Sequence, residues 1–160
     1  MSAGSHAWPY HRGVKIDPLT GLPTRGRLVA AIDEMISGGD DPAVFCVAVE
    51  GFDLPDPDTD PDVAKALREV ASRLSQLVRS NDVLASAAPG VFALAGTGVE
   101  AGDADVVMDR VRGVFALPVE IGAEVFSLSI NVGFAPAARG MNGAELVALA
   151  ETDLLRRSGT

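Results

Sequence analysis

The chain has 160 residues, 48% of them apolar and 22% charged, which is ordinary for a soluble globular protein and fits one domain with a real core. Thirteen Lys and Arg stand against 22 Asp and Glu, a formal charge of -9. That balance argues against a general nucleic-acid or anionic-membrane binder, which needs a basic patch for phosphates, but leaves room for one small anionic ligand held by one or two arginines.

Residues 1–15 are polar and irregular and read as a flexible leader ahead of a domain over 16–160. His6 and His11 have no third ligand at a useful spacing, so a metal site is not expected there. The N-terminus shows no signal peptide, and no apolar run approaches the roughly 20 residues of a membrane span. A cytoplasmic protein without membrane insertion is the expectation. Asp17-Pro-Leu-Thr-Gly-Leu-Pro-Thr24 is a turn-rich entry to a helix that Thr24 can cap. Leu28, Val29, Ile32, Met35 and Ile36 recur at helical spacing, and Gly38-Gly39 stops the helix ahead of Asp40-Asp41.

Ala43 to Glu50 is a continuous apolar run of the kind that forms a central buried strand, and its Cys46 is expected to be a buried, inert thiol. Asp56, Asp58 and Asp60 alternate like calcium-loop ligands. Pro61 and Leu67, however, stand where that loop needs Gly and Glu, so Asp60 capping a helix that Pro61 opens is the better reading. This helix is expected to run to about Arg79, burying Val63, Leu67, Val70, Leu74, Leu77 and Val78.

Val83 to Ala87 and Val91 to Ala95 read as a hairpin, because Pro89 presets one dihedral of the turn and Gly90 tolerates positive φ. Its tip, Ala88-Pro89-Gly90-Val91, carries no side chain able to bind a metal or move a proton. A third helix carries Val107, Val111, Val114 and Phe115. Two strands, Val119 to Ile121 and Glu124 to Ala135, turn at Gly122-Ala123. Asn142 caps the last helix, with Glu145 completing a capping box, and Leu146, Ala150 and Leu154 face the core. The order α-β-α-β-β-α-β-β-α implies one mixed sheet covered by helices.

Several of these segments together resemble the GGDEF domain of bacterial diguanylate cyclases, over Asp17 to Gly159. Asp17-Pro-Leu-Thr-Gly-Leu-Pro looks like the family's D-x-L-T-G-L-P entry motif, and Glu69-Val-Ala-Ser-Arg-Leu74 resembles its x-V-A-x-R-L helix. Asn131-Val-Gly133 stands for S-x-G, and Ala150-Glu-Thr-Asp-Leu-Leu155 for A-D-x-A-L-Y. The resemblance implies an α/β fold with a central mixed sheet flanked by helices. It also implies an activity in active members: joining two GTP molecules into cyclic di-GMP across a dimer.

The family's signature hairpin falls on Ala88-Pro89-Gly90-Val91-Phe92, where only the Phe matches. Gly90 stands for a magnesium carboxylate, Val91 for the catalytic glutamate and Ala48 for the second metal carboxylate. Glu50 and Phe52 match the family, but Asp53 replaces a lysine. Ala64 replaces a guanine-recognising aspartate and Ser158 a phosphate-binding lysine. Gly38-Gly39-Asp40-Asp41 cannot substitute, because it lies off the hairpin. A degenerate, inactive domain with no catalytic residues, metal or cofactor is therefore expected.

Arg79-Ser-Asn-Asp82 matches the family's R-x-x-D inhibitory site, five residues before the signature hairpin. A guanidinium pairs with phosphate or with guanine O6 and N7, and a carboxylate accepts from guanine N–H groups. The leading expectation is a cyclic di-GMP receptor acting through Arg79 and Asp82 as a regulatory site, with a protein partner or homodimer as its output. The alternatives are a ligand-free interaction or dimerisation module, in which Arg79 merely complements a helix C-terminus, and a GTP binder without turnover.

Overall fold

A computed structural model describes residues 16–50, 61–136 and 138–158. The elements in order are α1 (Arg25–Ser37), β1 (Ala43–Glu50), α2 (Pro61–Ser75), β2 (Val83–Ala88), β3 (Val91–Gly96), a short 3₁₀ turn (Ala101–Asp103), α3 (Ala104–Val114), β4 (Val119–Ile121), β5 (Glu124–Phe126), β6 (Ser129–Ala135) and α4 (Gly143–Ser158). The four-stranded sheet has the order β2-β3-β1-β6, while β4 and β5 pair separately. Each of its strand pairs is antiparallel. The expected mixture of directions reduces to one isolated parallel bridge between Thr24 and Ser86. β1-α2-β2 and β3-α3-β6 each return to the sheet with one strand lying between their ends, the split βαβ arrangement.

Strand alternation sends β1 side chains to two cores. Phe45, Val47 and Val49 pack with Phe92, Leu94 and Val132 beneath α2 and α3. Val44 and Cys46 pack with Ala93, Ala95 and Ala135 beneath α1 and α4. The second face is built largely from alanines, which lets α1 and α4 approach closely. At Gly133 a Cβ would lie 2.7 Å from Leu154 Cα and collide with the α4 backbone. The Cys46 thiol is fully buried and pushed up to about 12, mainly by burial and further by Glu151, with Arg25 opposing, so it stays protonated and inert.

Several local expectations hold. Pro61 opens α2, and Gly90 takes φ +76 at the hairpin turn. The Asn142 N–H donates to Glu145 Oε1 at 2.9 Å, while the Glu145 N–H donates to Asn142 Oδ1 at 2.8 Å. Gly38-Gly39-Asp40 ends α1 as a Schellman motif: Gly39, at φ +91, donates to the Ile36 carbonyl, and the Asp40 N–H donates to the Met35 carbonyl at 2.9 Å.

Other boundaries differ. Thr24 stands at the α1 N-cap position without a side-chain cap, buried in the bridge to β2. The chain leaves α2 at Ser75, not near Arg79. Gln76 and Leu77 N–H groups bond to the Arg73 and Leu74 carbonyls in a tighter turn. Leu77 and Val78 extend the apolar stripe because they pack against the same core from beyond the helix. The strand expected over Glu124 to Ala135 breaks at Ser127-Leu128, where Leu128 turns into the core. The readings of His6, His11, the Asp56–Asp60 alternation and the Asp60 cap lie outside the described residues.

Candidate functional site

The hairpin has two ends with different chemistry, separated by roughly 17 Å of extended strand over Val83 to Ala87. At the tip, Ala48 pairs with Val91 and with Asn131 across the sheet. The Val49 N–H donates to the Gly90 carbonyl at 2.9 Å. The fold therefore gathers Ala48, Gly90 and Val91, the three positions that the resemblance assigns to metal and base. Two alkyl side chains and a glycine do not form a donor set for a divalent cation. Glu50 ends β1 nearby as an exposed carboxylate. No group of three or more His, Cys, Asp or Glu able to hold a metal gathers among the described residues.

The open end of the hairpin carries the charged pair. The Asp82 N–H donates to the Arg79 carbonyl at 3.0 Å, and the Arg79 N–H donates back to Asp82 Oδ2 at 2.9 Å, closing the loop between α2 and β2 on itself. Arg79 Nε then donates to Asp82 Oδ2 and Nη2 to Asp82 Oδ1, both at 3.2 Å, a fork on both carboxylate oxygens. Nη2 also donates to the Thr97 carbonyl at 2.7 Å. The hydrogen bond to Asp82 and its charge hold the Arg79 guanidinium charged above the ordinary arginine range, with slight burial opposing. The Asp82 side chain is 14% exposed and that of Arg79 63%, so the carboxylate is seated while the guanidinium faces outward.

Because α2 ends before Gln76, Arg79 does not serve as the C-terminal charge of that helix. Its partners are Asp82 in the loop and the Thr97 carbonyl, and it lines the cleft beyond. That cleft has a volume of about 300 Å³ and runs between the loop, the end of β3 and α3. Leu77, Val99, Val106 and Val107 supply apolar wall, and Val106 is 59% exposed. Arg110 lines it from α3, as does Asp103 from the turn before that helix. Arg110 makes no hydrogen bond or ion pair among the described residues. Its place on the cleft carried no signal in the sequence, since only the packing of α3 on the sheet brings it toward Arg79.

The entry motif proves to be a structural clamp beside the hairpin. Asp17 is buried, accepting from the Leu19 N–H at 3.1 Å and from Thr20 Oγ1 at 2.8 Å. The Ser86 N–H of β2 donates to the Pro23 carbonyl at 2.9 Å, and Arg68 Nε of α2 donates to the Leu19 carbonyl at 3.0 Å. The motif thus ties the start of the domain to β2 and α2.

No protein-family model matches the chain. The oxygen sensor protein DosP of Escherichia coli strain K12 is 25% identical over 149 residues, 91% of this chain, and the chain spans only 18% of that relative's length. Solved structures align over most of the chain. A sensory box/GGDEF family protein from Caulobacter crescentus CB15 superposes with a TM-score of 0.74 at 26% identity, covering 91% of this chain and 98% of that one. Diguanylate cyclase SiaD of Pseudomonas aeruginosa, solved with its activator SiaC, gives 0.75 at 28% identity, covering 90% of this chain and 58% of that one. The GGDEF domain of DgcB from Caulobacter crescentus, solved in complex with cyclic di-GMP, gives 0.75 at 21% identity, covering 92% and 90%. No described helix is long and apolar enough to cross a membrane. The chain has the GGDEF-type fold, and its solved neighbours support kinship with that family.

Proposed function

We propose that this chain is a catalytically inactive GGDEF-type domain that binds cyclic di-GMP through Arg79 and Asp82 and passes the bound state to a protein partner or a second copy. The observation that carries the reading is the forked Arg79–Asp82 pair on the rim of a cleft whose α3 wall carries Arg110, unpaired among the described residues. A guanine presents O6 and N7 acceptors and N1 and N2 donors, which match a guanidinium and a carboxylate held side by side. Phosphate oxygens suit Arg110, and exposed Val106 offers an apolar face for a base. The complex of DgcB with cyclic di-GMP supports this ligand class on this fold.

The other end of the hairpin supports the inactive reading. Phosphoryl transfer needs cations to offset triphosphate charge and a placed base for the attacking hydroxyl. Ala48, Gly90 and Val91 supply neither.

Calorimetric titration of cyclic di-GMP into the wild type and Arg79→Ala tests the reading. Saturable binding to the wild type and loss of at least about tenfold in affinity in the variant are expected, as for a lost charged hydrogen-bond donor. Absence of heat and of any thermal shift with the wild type would sink the receptor. It would favour a ligand-free interaction module, the reading supported by the SiaD–SiaC assembly on this fold. A GTP-dependent rise in melting temperature would instead favour a GTP binder without turnover.

A further inference from the structure

We propose that Gly96 is a positioning residue for the Arg79–Asp82 site, an inference that rests on the receptor reading. It acts by leaving room for the Asp82 carboxylate and so fixing which edge of the Arg79 guanidinium a ligand meets. Val83 pairs with Ala95 across the hairpin, so Asp82 and Gly96 are the next residues out on their two strands. A Cβ at Gly96 would lie 2.6 Å from Asp82 Oδ1, 3.1 Å from its Cγ and 3.5 Å from Arg79 Nη2. Real Cβ atoms essentially never approach another atom as closely as the first of these. The nearest atoms that an added methyl would meet are therefore those of the binding pair, and no backbone atom is among them.

The left-handed conformation does not require this glycine. The residues with positive φ include Gly98, two positions on, but not Gly96. The space itself is what the position provides. With the carboxylate seated there, Arg79 spends Nε and Nη2 on Asp82 and Nη2 again on the Thr97 carbonyl. Nη1 is the guanidinium nitrogen without a hydrogen bond among the described residues, and it is the edge available to an acceptor on a ligand. The pair is assembled before any ligand arrives, so binding loses little side-chain entropy in ordering it. An alanine at position 96 pushes the carboxylate off its seat, breaks the fork and frees Arg79 to sample other rotamers.

The test is a double-mutant cycle with Gly96→Ala, Asp82→Ala and the double variant, read first without ligand and then with it. In ligand-free thermal melts, Gly96→Ala lowers the melting temperature in the wild-type background and has less than half that effect when Asp82 is already alanine. An equal drop in both backgrounds overturns the proposal, because the methyl would then be colliding with something other than the carboxylate. If Gly96→Ala fails to fold, the double variant is expected to recover folding. Failure of both overturns it equally.

With cyclic di-GMP, Gly96→Ala weakens binding by at least about tenfold while an Arg79 Nε–Hε resonance, sharp in the wild type, broadens as the fork opens. Wild-type affinity in Gly96→Ala overturns the positioning role. If the wild type itself does not bind, the receptor reading fails separately. The melts and the Arg79 resonance still decide whether Gly96 seats the pair.

Discussion

Asp153 on α4 departs from the family pattern, in which a small apolar residue occupies that place, and the structure gives it a specific task. Its residue surface is 7% exposed. It accepts from the Phe134 N–H on the outer strand β6 at 2.8 Å, from Arg157 Nε at 2.7 Å and from Arg156 Nη2. Burial alone would raise its carboxyl, but the Phe134 N–H and the two arginines outweigh it and hold the group below the ordinary Asp range. A depressed folded-state value contributes stability that is fully present above the unfolded value near 3.9 and is lost as pH falls through the folded one. Asp153→Asn keeps one acceptor but loses the charge, and should lower unfolding free energy at neutral pH by roughly 2 kcal/mol. The gap between the two proteins should then close from about pH 4 downward. Urea unfolding across that range checks it, and a gap independent of pH would show that the charge does not matter.

Between elements, fit depends on what neighbouring backbones allow. β6 crosses α4 at Gly133, where a Cβ would meet Ala150 O and the Leu154 backbone. Backbone atoms cannot swing aside as a side chain can. Gly133→Ala should therefore force α4 away from the sheet and destabilise by about 1–3 kcal/mol or more. A circular-dichroism melt within a degree of wild type would refute that packing. Helix identity was legible in the sequence because Leu28 with Ile32, and Leu67 with Val70 and Leu74, keep a helical period. The end of α2 was not, because Leu77 and Val78 continue the stripe after the chain has left the helix. Arg73 was equally opaque. Its guanidinium reaches the Val114 carbonyl at the end of α3 and the Leu117 and Pro118 carbonyls in the segment before β4, and carbonyl partners leave no mark in a sequence.

At the scale of the molecule, the parts of the proposed site differ in legibility for a physical reason. Arg79 and Asp82 lie three residues apart and meet through local loop geometry, so the resemblance to the R-x-x-D motif picked out both partners together. Arg110, and the room at Gly96, depend on α3 and on strand register, which no local spacing encodes. The other end of the hairpin yields the last prediction. Ala48 and Val91 face each other across β1 and β3, with Gly90 at the turn. Restoring Asp at 48 and 90 and Glu at 91 would rebuild three carboxylates there. Ala64, where the resemblance places a guanine-recognising aspartate, is 7% exposed on α2. A nucleotide held by metal alone would keep its base unanchored, and proximity contributes to rate only when the reacting groups are oriented. Wild type with GTP and magnesium should therefore form no cyclic di-GMP above the protein-free control. The triple variant should gain metal-dependent GTP binding without matching gain in turnover. Chromatography of the nucleotides after overnight incubation distinguishes the outcomes. Product from the wild type would overturn the inactive reading, and efficient product from the triple variant would show that the guanine contacts had been intact throughout.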